Sequence, residues 1–403
     1  MSKANARIDV IDAVRGFAVL GIVLANIQSW SGYKFLQFSE IVKLPYDQLD
    51  SLFYWAHVAL VDGKFYAIFS LLFGIGFGLQ WERKGHKPEK FLPMYRRRLG
   101  FLLLFGVLHA LFWSGDILML YALLAFVLVA LRNLSNRALL RFSLLLLSLF
   151  VVSNAAHLFL AEPTEAVEKT ARASYPDMSG EEVIAAFGGN SWSRIFSVNL
   201  HNIYWRWIDF LPNGRISRVL GFFLLGFYLA RTGFFTSTAR KPSMIFLLGV
   251  PGFALTMLAM KMGLSMGQWP QDAMGIVSKL ANVAGQLLMA LSYMCILTCV
   301  FATSFGRTLM HPLTLVGRTA FTSYLSQSVI GVFLFYGVGF GLIASMGLAQ
   351  LWAVAIGIYA FQVLAASVWL RVFKQGPIEW LWRCLTQKRY IPNRRTTPIH
   401  PAE

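Results

Sequence analysis

One histidine and one aspartate have the residue types and the spacing for acid–base chemistry. His109 lies in an apolar stretch, and Asp116 follows seven residues later, after a Ser-Gly pair typical of a tight turn. Such a turn can bring the carboxylate back to the imidazole, and a carboxylate beside a buried histidine orients it for proton transfer. Two structural roles fit the same pattern: Asp116 can cap the next helix, and His109 can be a hydrogen-bonded core residue. Catalysis, substrate binding and a structural role therefore stay open for His109.

The first apolar stretch carries a second polar group. Asp12 and Arg15 are three residues apart, which places them on one helix face, where they can form an ion pair. Asn26 follows eleven residues after Arg15, a rise of about 16 Å along the same face. We predict that the ion pair forms and faces the bundle, because a bare charge near the membrane is costly. A purely structural ion pair, with an interhelical hydrogen bond from Asn26, satisfies the spacing as well.

Five further positions invite an interpretation. Lys64 begins the second apolar stretch and is predicted either to reach the membrane interface or to contact substrate. Gly74 and Gly78 are four residues apart without a preceding strand, which favours a helix-packing surface over a phosphate-binding loop. Glu379 starts a short amphipathic segment whose N-terminus it can complement, and Trp380 suits a membrane interface. No spacing of His, Cys or carboxylates predicts a metal site.

An all-α membrane domain has to position these residues. Hydrophobic residues make up 57% of the 403 residues and charged residues 14%, against about 25% charged in a typical soluble domain. Apolar stretches of about 20 residues without two-residue alternation exclude a soluble protein and an outer-membrane barrel. We expect a polytopic membrane protein, about ten transmembrane helices in one bundle, as a single domain over 1–403. The predicted spans are 11–29, 60–81, 97–114, 116–132, 138–160, 214–231, 243–262, 275–303, 314–342 and 349–372.

The distribution of Lys and Arg predicts the orientation. Acidic residues concentrate in segment 161–212, while the basic residues lie in segments on the other side of a ten-span chain: 82–96, 133–141, 231–242, 304–318 and the tail 373–403. Positive charge marks the cytoplasmic side, so we expect both termini in the cytoplasm and an extracytoplasmic loop at 161–212. That loop either lies on the outer leaflet or forms a substrate-binding lid. The net charge of +17 is explained by this bias and predicts no nucleic-acid partner.

Five motifs spread over most of the chain carry a family resemblance. They are Asp12-x-x-Arg15-Gly16-x-Ala18-x-x-Gly21-Ile22 with Asn26; Phe69-x-x-Leu72-Phe73-Gly74; His109-x-x-Phe112-Trp113-x-Gly115-Asp116-Ile117-Leu118-x-x-Tyr121; Gly317-Arg318-x-x-x-Thr322-x-Tyr324-x-x-Gln327-Ser328; and Gln375-Gly376-Pro377-x-Glu379-Trp380-x-Trp382-Arg383. On these motifs the sequence resembles the YeiB family of bacterial inner-membrane proteins, a domain of unknown function. That family is similar, mainly in its first helix, to a superfamily of transmembrane acyltransferases.

The resemblance implies a reaction. Such acyltransferases move an acyl group from cytoplasmic acyl-CoA to an acceptor on the far side of the membrane, such as a saccharide or another envelope component. The bacterial O-acyltransferases have a histidine where this chain has Asn26, and the lysosomal heparan-glucosaminide N-acetyltransferase also has asparagine there. The base is therefore expected elsewhere, and His109 is the candidate, oriented by Asp116. Asn26 is the candidate donor to the developing oxyanion.

Other residues are expected to bind substrate. Arg15 and Arg318 are candidates to hold CoA phosphates, and Asp12, Gln327 and Lys64 are candidate contacts. Acyl-CoA is the expected co-substrate, the lipid bilayer is the expected partner, and no tightly bound cofactor is expected. The competing prediction is a transporter or channel for a small or lipidic substrate, with the His–Asp pair as a proton relay. A membrane scaffold explains the motifs least well.

Overall fold

The computed structural model describes residues 3–45, 47–159, 177–210, 213–263 and 273–395. These ranges contain helices and no β-strand, which confirms the all-α prediction. The α-helices are α1 (Lys3–Trp30), α2 (Phe38–Ile41), α3 (Asp47–Ala56), α4 (Lys64–Lys84), α5 (Pro88–Phe112), α6 (Leu118–Ala130), α7 (Asn136–Phe159), α8 (Gly180–Gly188), α9 (Trp192–Phe210), α10 (Arg215–Arg231), α11 (Pro242–Lys261), α12 (Ala273–Phe301), α13 (Ser304–Leu309), α14 (His311–Arg318), α15 (Ala320–Phe335), α16 (Leu348–Val372) and α17 (Pro377–Gln387).

Several of these helices have the length and apolar composition to cross a membrane. Within the described ranges there are five, or six if a pair bent by 49° is counted as one span. The five are Asp9–Trp30, Gln48–Lys84, Pro242–Lys261, Met274–Phe301 and Leu348–Val372, and the bent pair is Arg215–Arg231 with Phe234–Arg240. The chain is therefore a helical, membrane-type protein, and the count of ten spans stays a prediction.

Two predicted spans are shorter in the structure than the sequence indicates. The prediction of one helix over 314–342 is wrong, because α14 ends at Arg318 and α15 ends at Phe335. After α15 the chain turns toward α8, where Gly337 donates its N–H to the carbonyl of Phe187, and Gly341 adopts a φ of +68°. Helix α6 has 13 residues and α15 has 16, or about 20 and 24 Å against a hydrocarbon core of about 30 Å.

Glycines allow α4 and α10 to pack closely in the centre of the bundle. Gly74 faces the backbone carbonyl of Phe223, and Gly226 on the opposing helix faces the carbonyl of Leu71. Gly78 lies against Phe227 and Ala230. The glycine pair that the sequence singled out thus lies at a helix–helix contact, where small residues let backbones approach.

The two ends of the bundle are defined by long-range contacts. At one end Arg231 bonds to Glu82 at 3.0 Å and donates to the carbonyls of Leu134 and Arg132 at 2.6 and 3.0 Å. At the other end Asn199 of α9 binds the end of α5. We call these the Arg231 end and the Asn199 end. The predicted loop 161–212 lies partly outside the described residues, and its described part, 177–210, packs on the bundle as α8 and α9.

Candidate functional site

A short turn between α5 and α6 brings His109 and Asp116 together. The imidazole Nδ1 lies 2.7 Å from Oδ1 of the carboxylate, and both side chains are buried. The second oxygen, Oδ2, accepts the N–H of Met119 at 2.8 Å and so caps the start of α6. The predicted return of the carboxylate to the histidine is confirmed. Asp116 therefore performs both the orienting and the capping role that the sequence allowed.

The other imidazole nitrogen is unpaired. The Nε2 atom of His109 is buried and has no hydrogen-bond partner among the described residues. The rings of Tyr324 and Trp113 lie against the imidazole, with centroid distances of 5.1 and 5.8 Å. A histidine held at Nδ1 by a carboxylate with Nε2 unpaired has the arrangement of a general base in hydrolase triads.

Helix α9 holds this turn in place. The buried amide of Asn199 accepts the N–H of Ser114 at 3.1 Å and donates to the carbonyls of Leu111 and Phe112 at 3.1 and 2.9 Å. From the same helix, Arg206 donates to the carbonyl of Ser114 at 3.1 Å. Sequence reasoning missed both residues, since they lie in a segment that the sequence predicts to be a loop. The last carbonyls of α5 thus obtain partners from a distant helix.

A cavity of about 270 Å³ extends into the bundle from the Arg231 end. Three arginines, Arg15, Arg98 and Arg318, line it together with polar and apolar side chains. The guanidinium of Arg98 lies 4.0 Å from the ring centroid of Trp382. The remaining lining residues are Phe69, Leu72, Phe73, Gly76, Phe77, Gln80, Tyr95, Leu99, Leu102, Leu118, Tyr121, Gly317, Ala320, Phe321, Tyr324 and Glu379.

Tyr324 connects the cavity with the His–Asp pair. It lines the cavity, and its ring lies against His109. Arg98 and His109 are on the same helix, eleven residues apart, which corresponds to about 16 Å along α5. His109 and Asn26 do not line this cavity.

The predicted ion pair in α1 is confirmed. Arg15 Nη1 lies 2.5 Å from Asp12 Oδ1, and the Arg15 side chain remains 33% exposed. Helix α14 packs directly on this segment, because Gly16 faces the carbonyl of Leu313 and Gly317 faces the carbonyl of Asp12. The close packing positions Arg15 at the cavity wall.

Glu379 acts on a different helix from the one predicted. Its carboxylate accepts the N–H groups of Phe321 and Thr322 at 2.7 and 3.0 Å and the Thr322 hydroxyl at 2.5 Å. It therefore caps α15, which explains why the predicted span over 314–342 is divided at this point. Burial raises the pKa of Glu379, and the hydrogen bonds from Thr322 oppose that shift. Trp380 donates to the carbonyl of Ile391 at 2.7 Å and so attaches the tail to α17.

Three predicted site residues lie away from the cavity. Lys64 is 1% exposed and donates to the carbonyl of Val58 at 2.6 Å, so the prediction that it reaches the interface is wrong. The carbonyl of Val58 gives the buried ammonium a hydrogen-bond acceptor inside the protein. Gln327 is fully buried and donates to the carbonyl of Val19 at 3.2 Å. Asn26 is half-buried in α1.

Arg98, which lies within the predicted span 97–114, is a cavity residue that sequence reasoning did not single out. Arg98 lines the cavity with Tyr95, Leu99 and Leu102 of the same helix, a helical spacing that could have singled it out. Among the described residues, no group of three His, Cys, Asp or Glu side chains could hold a metal ion.

The fold and the site define a helical membrane-type protein in which Tyr324 lines an arginine-rich cavity and contacts the histidine of a buried His–Asp pair. The chain belongs to the DUF418 family, described as "Protein of unknown function", whose family model matches residues 229–389. It is 30% identical over 415 residues to "Uncharacterized protein YxaH" of Bacillus subtilis (strain 168), covering 98% of each chain. It is 27% identical over 410 residues to "Uncharacterized protein YeiB" of Escherichia coli (strain K12), covering 95% of this chain and 97% of the relative. No solved structure matches the chain significantly.

Proposed function

We propose that this protein is a membrane-embedded acyltransferase that moves an acyl group from cytoplasmic acyl-CoA to an acceptor at the opposite face. One observation carries the proposal: Tyr324 lines the arginine-lined cavity, and its ring lies against a histidine with an unpaired Nε2. One side chain thereby contacts both the assigned donor site and the assigned base. In this proposal the Tyr324 phenol contacts the acyl group.

The cavity is assigned to the acyl donor. Arg15, Arg98 and Arg318 supply three positive charges, and arginine is well suited to phosphate groups. The volume of about 270 Å³ lies just below the range of about 300–1,000 Å³ for pockets that enclose a drug-sized ligand. We assign the cavity to the acyl-pantetheine arm and place the nucleotide at its opening near the Arg231 end.

His109 is assigned as the general base. An acceptor hydroxyl or amine attacks the thioester carbonyl, so that a C–O or C–N bond forms and the C–S bond breaks. The acceptor proton passes to Nε2 of His109 and then to the departing CoA thiolate, and Asp116 stabilises the imidazolium in between. The products are the acylated acceptor and free CoA. Asn26 does not line the cavity, and we assign it no step.

The proposal includes an orientation. We place the Arg231 end, with both termini, in the cytoplasm and the Asn199 end outside the inner membrane of a bacterium. The basic residues of the segments between helices support this placement. Acyl-CoA then enters the cavity from the cytoplasm, where it is present.

A substitution inside the cavity tests the donor site. Gly76 lines the cavity, and a Cβ added there meets no atom within 4 Å. Gly76→Leu therefore adds a larger side chain at the cavity wall at a position where the Cβ meets no packed atom. Gly100→Leu is the matched control, because that position is also free of neighbours within 4 Å and lies outside the cavity lining.

The readout is acetyl-CoA binding to the purified protein in detergent, measured by calorimetry. We expect Gly76→Leu to weaken binding at least tenfold and Gly100→Leu to bind like the wild type. Equal binding by the wild type and both variants, or no binding by the wild type, would contradict the assignment of the cavity to acyl-CoA. Release of CoA thiol on addition of acceptor distinguishes transfer from transport.

A further inference from the structure

Four cations gather at the Asn199 end, away from the arginine-lined cavity. They are Lys34, Arg206 of α9, and Arg215 and Arg218 at the start of α10, and we call them the second cationic cluster. Each of the three arginines is half-buried. None of the ion pairs between described residues involves any of the four. Their positive charge is therefore not neutralised by a contacting carboxylate in this part of the structure.

Two of the guanidinium groups converge on one aromatic ring. The guanidinium carbon of Arg215 lies 4.6 Å from the ring centroid of Tyr66 and 5.6 Å from that of Phe210. The guanidinium carbon of Arg206 lies 5.4 Å from the same Phe210 centroid. Contact with an aromatic face holds a guanidinium in place while its edge stays free to donate.

Three donors in this cluster are buried and unsatisfied. The Nε atoms of Arg206 and Arg215 and the Tyr66 hydroxyl have no hydrogen-bond partner among the described residues. Buried polar groups normally have partners, so three unsatisfied ones close together indicate a ligand that accepts hydrogen bonds. Arg218 is oriented by the carbonyl of Asn213, to which its Nη2 donates at 3.1 Å.

Lys34 adds a further positive charge near two of the arginines. Its side chain is exposed at the surface, and desolvation of its ammonium group by the surrounding protein, followed by the charges of Arg206 and Arg215, lowers its pKa to about 8. An anion bound by Arg206 and Arg215 therefore lies near a third positive charge.

The cluster adjoins the His–Asp pair. Asp116 and Arg206 line one small cavity with Ser114 and Phe210, and its volume of about 10 Å³ is about that of a single water site. A ligand held by Arg206 is therefore close to the carboxylate that orients His109.

We infer that the second cationic cluster binds a phosphate group of a substrate that enters at the Asn199 end. A phosphate offers three acceptor oxygens to the three unsatisfied donors, and its charge matches four cations better than a single carboxylate does. The source is either a lipid headgroup or a soluble phosphorylated compound. That this phosphate belongs to the acyl acceptor rests on the proposed function, whereas phosphate binding itself does not.

Binding to the purified protein in an uncharged, phosphate-free detergent tests the inference. Thermal unfolding is followed by tryptophan fluorescence during titration with inorganic phosphate, against chloride at matched ionic strength. A second titration uses dihexanoyl phosphatidylglycerol against dihexanoylglycerol, which lacks the phosphate. Stabilisation by inorganic phosphate shows that a soluble phosphate compound is sufficient for binding. Stabilisation by the phospholipid but not by inorganic phosphate shows that the site binds a lipid headgroup.

We expect Arg206→Gln and Arg215→Gln to weaken binding at least tenfold, and Arg215→Lys to retain part of it. Arg240→Gln, at an exposed arginine of the other end, should bind like the wild type. Where the arginine variants do not fold, Lys34→Gln provides the same test at an exposed position. His109→Gln should retain phosphate binding, so loss of transfer and loss of binding are distinguishable. No stabilisation of the wild type by either probe, or equal binding by the arginine variants, would overturn the inference.

Discussion

Replacing two neighbouring glycines of α4 by alanine should have opposite effects on stability. A Cβ at Gly74 would overlap the carbonyl oxygen of Phe223, whereas a Cβ at Gly76 meets nothing within 4 Å. Both changes gain about 0.5–1 kcal/mol, because glycine is unfavourable inside a helix. Gly74→Ala alone forces the α10 backbone to move, and overpacking of this kind costs about 1–3 kcal/mol.

The helix-propensity gain is common to both variants, so their difference isolates the packing contribution. We expect Gly74→Ala to be less stable than Gly76→Ala by about 1–3 kcal/mol, and Gly76→Ala to match or exceed the wild type. Unfolding of the purified protein by increasing mole fraction of SDS, followed by circular dichroism, gives both free energies. Equal stabilities, or a lower stability for Gly76→Ala, would refute the close packing of α4 on α10.

Three further outcomes follow from the contacts. Asn199→Ala should destabilise the protein by about 1–3 kcal/mol, since it removes three hydrogen bonds of a buried side chain. An effect no larger than that of exposed Asn190→Ala in the same unfolding assay would contradict a role of Asn199 in holding the turn between α5 and α6. Asp12→Ala should destabilise more than Asp12→Ala with Arg15→Gln, because it leaves the arginine unpartnered; independent effects in a double-mutant cycle would argue against coupling. The affinity of the second cationic cluster for sulfate, an analogue of phosphate whose charge does not change in this pH range, should fall as the pH rises through about 8, since burial and two neighbouring arginines lower the pKa of Lys34 to that value and its charge is lost above it; a pH profile that Lys34→Gln leaves unchanged would exclude this lysine.

Local contacts were predictable from the sequence because short spacings fix them. Asp12 and Arg15 are one helical turn apart, and His109 and Asp116 are joined by one tight turn. In both cases the chain has few ways to keep the charged groups separate inside an apolar environment. The helical fold class followed from composition for the same physical reason, since backbone polar groups in lipid have to be satisfied within the segment.

Contacts between distant segments were not predictable. Glu379 caps a helix that starts 59 residues earlier, at Ala320, and nothing in the local pattern shows which N-terminus it meets. Asn199 is similarly remote from the α5 carbonyls that it binds. Lys64 has the sequence context of an interfacial lysine, but the carbonyl of Val58 lies within reach of its ammonium. Each case depends on which helices are neighbours, and spacing along the chain does not contain that information.

Acyl transfer by a His109 variant tests directly whether this histidine is the general base of an acyltransferase. His109→Gln keeps an amide donor toward Asp116 but cannot take a proton at Nε2, and His311→Gln changes an exposed histidine of α14 as a control. Protein reconstituted in vesicles with its Arg231 end outward is given labelled acetyl-CoA outside and an envelope extract inside. We expect wild type and His311→Gln to transfer label to the extract with release of one CoA thiol per acyl group, and His109→Gln to lose at least 99% of this transfer while inserting normally. Undiminished transfer by His109→Gln would contradict this role of His109.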